Sequence, residues 1–78
     1  MAEVTIEYCV PCGFRDRALA LQEAVLANLE RELDSARLVM GDHGVFRVGV
    51  DGDTVYDKDE HDADYDVDDV VRAVREEL

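Results

Sequence analysis

The spacing of hydrophobic positions changes several times along the chain, and each change marks an element. Residues 3–8, EVTIEY, alternate: Val4, Ile6 and Tyr8 fall on one side, Glu3, Thr5 and Glu7 on the other. Alternation with period two predicts a strand with one face on a core, stopping at Cys9. Over residues 13–33 the step lengthens. Phe14, Ala18, Leu21, Val25, Leu29 and Leu33 recur every three or four positions, as one helical face does, and Leu19 and Leu26 widen it. Pro11 stands at or just before the first turn, where its missing N–H costs nothing. Asp34 and Ser35 end this predicted helix.

The second half returns to short periods. ARLVM, residues 36–40, predicts a buried strand through Leu38, Val39 and Met40, and GDHG, residues 41–44, a loop. VFRVGV, residues 45–50, alternates through Phe46, Val48 and Val50. Asp51-Gly52 then signals a type I′ hairpin leading into DTVYDK, residues 53–58. Residues 57–66 are acidic and irregular and read as a loop. Asp66 is a good helix N-cap, and Asp68 and Asp69 suit the positive end of a helix dipole. Val67, Val70, Val71, Val74 and Leu78 form a second apolar stripe.

The predicted order is β-α-β-β-β-α, an α/β (α+β) domain spanning residues 1–78 with a four-stranded mixed sheet and two helices. The first β-α-β unit should be parallel with a right-handed crossover, and the Asp51-Gly52 hairpin adds an antiparallel pair. The helices can share one face of the sheet or take one each. Such a sheet, with a Cys-x-x-Cys at the C-terminal end of its first strand, is a minimal thioredoxin-like arrangement, and reactive groups in α/β sheets collect at strand ends of this kind.

Composition limits what this domain can bind. A chain of 78 residues supports one modest core, and with no Trp, two Phe and three Tyr that core is mainly aliphatic. The net charge is −12, from 20 Asp and Glu against eight Lys and Arg. Nucleic acid and anionic membranes are repelled by such a field. The simplest reading is an acid-coated, halophile-type surface, and the competing one is a dedicated docking surface. Under the first, salt should screen self-repulsion and raise stability. The chain also shows no signal-peptide pattern and no apolar run long enough to cross a bilayer, so a cytoplasmic monomer is expected.

Cys9 and Cys12 are the only cysteines. In a reducing compartment, a Cys-x-x-Cys pair points to redox or metal chemistry rather than to a structural staple. At the mouth of a helix, backbone N–H groups and the dipole favour the thiolate, and Arg15 and Arg17 lie close enough in sequence to add positive charge. One thiolate attacks a substrate disulfide and the other resolves the mixed disulfide. A closed zinc site needs four ligands, and beyond the cysteines only His43 and His61 are suitable, neither at zinc-finger spacing. An EF-hand in DKDEHDADYD fails for want of a glycine at its sharp turn. Two inert core cysteines are the bland alternative. The redox reading is preferred, with no metal and no cofactor.

Tyr8-Cys9-x-x-Cys12-Gly13-Phe14, the helix positions Ala18, Leu21 and Gln22, the run Gly44-Val45-Phe46-x-Val48, and the turn at Asp51-Gly52 together resemble the selenoprotein W-like (Rdx) family over nearly the whole chain. The resemblance implies a thioredoxin-like fold and a role in thiol–disulfide exchange. The partner is a protein or small-molecule thiol or disulfide. The implied site is Cys9 and Cys12, with Pro11, Gly13, Phe14, Gly44 and Phe46 around it. Selenocysteine, where family members have it, takes the position matched by Cys12. Thioredoxin mechanics favour Cys9 as the attacker and the selenocysteine position favours Cys12, so the sequence leaves that choice open. Arg47 departs from the acidic residue common at its position. Gly44-Val45 stands roughly where thioredoxin has its cis-proline. The alternative function is a non-catalytic interaction module with an acidic docking surface and redox-sensing thiols.

Overall fold

The computed structural model describes residues 2–58 and 65–78. Its elements are β1 (Ala2–Cys9), α1 (Arg15–Leu29), a single 3-10 turn (Glu30–Glu32), β2 (Leu33–Gly41), β3 (Phe46–Val50), β4 (Asp53–Asp57) and α2 (Val67–Glu76). The sheet runs β2-β1-β3-β4. β1 pairs parallel with β2 from Ala2↔Leu33 to Cys9↔Gly41, and antiparallel with β3 from Val4↔Val50 to Tyr8↔Phe46. β3 and β4 form the expected hairpin. Asp51 and Gly52 have φ of 52° and 92°, the positive values at both central residues that a type I′ turn needs.

Both helices cover the same face. Val4, Ile6, Tyr8, Phe46, Val48, Val50 and Tyr56 point into one core with Ala18, Leu21, Val25 and Leu29 of α1 and Val70, Val71 and Val74 of α2. Each buried Leu, Ile or Val contributes about 1.5–3 kcal/mol by leaving water. The opposite face is polar. On it Arg47 reaches Glu7 at 3.3 Å and Asp57 at 3.2 Å, and Arg37 donates to Thr5 at 3.4 Å. Such exposed ion pairs add little stability, so this face is a solvated surface rather than a second core.

Asp66 caps α2 as expected, its carboxylate accepting from Asp68 N–H at 2.8 Å and Asp69 N–H at 3.4 Å. Three expectations need correction. The helix predicted over 13–33 starts at Arg15 and stops at Leu29, because Leu33 opens β2 and its alignment with Ala2 belongs to the sheet. The strand through Leu38, Val39 and Met40 is not buried. β2 lies at the sheet edge, and Met40 is 74% exposed. Leu78 does not continue the α2 stripe, since the helix ends at Glu76 and Leu78 is exposed. Of the acidic loop predicted over 57–66, residues 59–64, including His61, lie outside the described residues, as does part of the rejected EF-hand segment.

Candidate functional site

β1 delivers Cys9 to the sheet's end, and the chain then turns through residues 10–13 before α1 begins. Cys9 N–H donates to Val45 O at 2.7 Å, and Val10 N–H donates to Gly41 O at 3.1 Å. The end of β1 is therefore held between the 44–45 segment and the end of β2. Gly13 N–H donates back to Val10 O at 3.2 Å and closes the turn. Gly13 has φ +77°, a conformation that costs a residue with a Cβ about 1–2 kcal/mol.

This turn joins Cys9 and Cys12 in a disulfide, with Cα atoms 5.4 Å apart, inside the range such a bond needs. The two cysteines differ in exposure. Cys9 is 0% exposed, whereas Cys12, like Val10, Pro11 and Gly13, lies at the surface. By strand parity Cys9 falls on the polar side of the sheet with Thr5 and Glu7, yet it is sealed from solvent. Its β2 neighbour is Gly41, and a Cβ there would meet Val45 Cγ1 at 2.9 Å and Glu7 Oε2 at 3.1 Å. The small residue lets those side chains close in beside the strand end.

Cys9 ends a strand, and Cys12 stands three residues ahead of the first residue of α1. No side chain caps α1 at Phe14.

The aromatic residues cluster on the core face of the sheet, where Phe46 pairs with Tyr8, the residue before Cys9. Phe14 and Phe46 meet edge to face with centroids 6.1 Å apart, and Phe46 also packs against Tyr56 at 6.2 Å and Tyr65 at 5.5 Å. Phe46 is fully buried and Phe14 half-buried. Gly44, with φ +79°, lies in the turn before Phe46 and leads into the carbonyl that Cys9 uses.

Sequence reasoning missed two members of this cluster. The Arg17 guanidinium lies 4.9 Å from the Phe14 centroid, 5.4 Å from Phe46 and 4.7 Å from Tyr65, so Arg17 is held against aromatic faces rather than free to swing. Its position one turn into α1 beside Phe14 was the available signal. Tyr65 carries a buried hydroxyl with no hydrogen-bond partner among the described residues. Burial raises its pKa, and the nearby Arg17 charge opposes the rise. Among the described residues, no group of three or more Cys, His, Asp or Glu is arranged to hold a metal ion, and no helix is long and apolar enough to cross a membrane.

A four-stranded mixed sheet with two helices on one face and a Cys-x-x-Cys disulfide after β1 defines a small thioredoxin-like α+β domain. More narrowly, the chain belongs to the Rdx family, whose family model matches residues 3–76. A crystal structure of a protein from Bordetella parapertussis is similar, with 28% identity, a TM-score of 0.90, and 99% of this chain and 98% of that one covered. A selenoprotein W-related protein from Vibrio cholerae shares the fold at 20% identity and a TM-score of 0.90, covering 96% of this chain and 94% of that one. No curated protein matches the sequence. Family membership and the Cys9–Cys12 pair together support a redox role.

Proposed function

We propose that the domain is a thiol–disulfide exchange protein in which Cys12 attacks and Cys9 resolves. One observation carries this reading: the pair is bonded, with one sulfur in the surface turn and the other sealed inside. In the reduced domain the Cys12 thiolate attacks one sulfur of a substrate disulfide. That S–S bond breaks, a Cys12–substrate bond forms, and the leaving thiolate takes up a proton. Cys9 then loses its proton and attacks the Cys12 sulfur. The Cys9–Cys12 disulfide forms and the second substrate thiol departs. The substrate gains two electrons and the dithiol loses two. The substrate is a protein or small-molecule disulfide.

Burial suits Cys9 to the second step. Sealed from solvent, Cys9 is shielded from an outside disulfide until a mixed disulfide on Cys12 lies beside it. Cys12 lies in the exposed turn leading into α1, where an outside disulfide can reach it.

The test uses a chromogenic aryl disulfide and two variants. Reduced Cys9→Ser should form a stable one-to-one adduct on Cys12, seen by intact-mass spectrometry. Cys12→Ser should react far more slowly. Rapid adduct formation on Cys9 in Cys12→Ser, with none on Cys12 in Cys9→Ser, contradicts the assignment.

A further inference from the structure

The open edge of β2 ends at Gly41, which pairs with Cys9 of the disulfide, and its hydrogen-bonding groups can be assigned from the register. Gly41 O accepts from Val10 N–H, so the N–H and C=O of Gly41 point toward β1. Backbone groups alternate sides along a strand. Those of Val39 and Arg37 therefore also face β1, and those of Ala36, Leu38 and Met40 face outward. The Ala36 carbonyl is occupied, since Gln22 Nε2 of α1 donates to it at 2.6 Å. Nothing pairs with the outer edge of β2 among the described residues, because the sheet order ends there. Gln22 thus blocks the edge at Ala36, and the part left open is Leu38–Met40, the end nearest the disulfide.

Two large apolar side chains are exposed at this open end. Met40 is 74% exposed and Val10 51%, two of the four large hydrophobic residues exposed in the described structure. Gly41, which follows Met40, is hydrogen-bonded to Val10, and Val10 is two residues from Cys12. An unpaired strand edge with exposed apolar side chains is a template for another strand.

We propose, resting on the redox reading above, that Leu38–Met40 docks an extended, cysteine-bearing segment of a substrate protein by strand addition. The segment would carry apolar residues flanked by Lys or Arg. Main-chain hydrogen bonds to Leu38 and Met40 hold it, Met40 and Val10 contact its apolar residues, and its disulfide is placed at Cys12. Charge selects this occupant. The domain carries −12, so a basic segment is drawn to it and a second copy of the same chain is repelled. The chemistry remains the exchange already written, with the substrate disulfide reduced and the dithiol oxidised.

The test uses short basic peptides with a central cysteine activated as a thiopyridyl mixed disulfide, and follows thiopyridone release by the reduced domain. One peptide is plain, one is N-methylated at alternate amides, and one carries Glu in place of its Lys and Arg. A small thiopyridyl disulfide is the control. The plain peptide should react about five- to tenfold faster than the N-methylated one, the size expected from one or two backbone hydrogen bonds. Met40→Pro, which removes an outward N–H, should erase most of that difference while the small disulfide reacts as before. The acidic peptide should be slower at low salt, with the gap narrowing as salt is added. Equal rates for plain and N-methylated peptides with the unaltered domain overturn the proposal without touching the redox reading. A small disulfide that fails to react with Cys12 overturns both. A concentration-dependent dimer of the unaltered domain that Met40→Pro dissolves assigns the edge to a second copy and also overturns the proposal.

Discussion

The two ends of the Cys9–Cys12 disulfide lie three residues apart and in different parts of the molecule. Cys9 is the last residue of β1, hydrogen-bonded to Val45 and sealed from solvent. Cys12 stands in a surface turn that closes through Gly13 and leads into α1. The strand end is fixed by sheet pairing on both sides and by its hydrogen bond to Val45. The turn is fixed mainly by one hydrogen bond and one glycine conformation. The contrast teaches how a small domain can hold two bonded cysteines differently: one is buried at a strand end, and the other lies on an exposed turn. Only two intervening residues are needed, because they are enough to carry the chain from the sheet end into solvent.

Substitutions on the two sides should therefore fail differently. The largest loss of stability belongs to the strand side. Phe46 is fully buried and meets three other rings, so Phe46→Ala should cost about 3–5 kcal/mol in urea unfolding. A loss under about 1 kcal/mol would show that the aromatic cluster is not part of the core. Gly13→Ala tests the turn side. Nothing lies within 4 Å of the added Cβ, so the cost is backbone strain alone, about 1–2 kcal/mol in the oxidised protein. No change would mean that the turn relaxes freely and does not fix Cys12.

The smallest effect is expected at Tyr65, in the aromatic cluster but away from the bond. Its hydroxyl is buried without a partner among the described residues, so Tyr65→Phe should stabilise the protein by about 1 kcal/mol. The same substitution tests pH dependence. Burial, opposed by Arg17, raises the Tyr65 pKa, so the unfolded chain ionises first as pH rises. The stability tied to the neutral phenol is complete below the unfolded value of about 10 and is lost above it as pH climbs toward the raised folded value. Tyr65→Phe should lose less stability between neutral and strongly alkaline pH, read from thermal melts. Equal losses in both proteins would place the alkaline sensitivity elsewhere.

Much of this arrangement was legible in the sequence. The alternation of Val4, Ile6 and Tyr8, the α1 stripe from Ala18 to Leu29, Asp51-Gly52 and the Asp66 cap each act within a few residues, and each formed as read. Leu33 and Met40 were misread because their roles depend on distant parts of the chain. Leu33 fits the helical spacing, but pairing with Ala2 draws it into β2. Met40 is apolar, but β2 lies at the edge of the sheet, and strand order is not written in local periodicity. The site was visible as two cysteines and their neighbours. The burial of Cys9 was not, since parity places it on the polar face with Thr5 and Glu7. Arg17 read as one more charge near a thiol, and its aromatic contacts required Tyr65 to arrive from beyond β4.

The most direct test of the division between strand end and turn is differential alkylation of the fully reduced, unaltered protein at neutral pH. A brief exposure to limiting iodoacetamide, followed by unfolding and a second, isotopically labelled reagent, reports each thiol by peptide mass spectrometry. Cys12 should take the first label at least about tenfold faster than Cys9, because reaction requires an exposed thiolate. Equal labelling, or faster labelling of Cys9, contradicts the account.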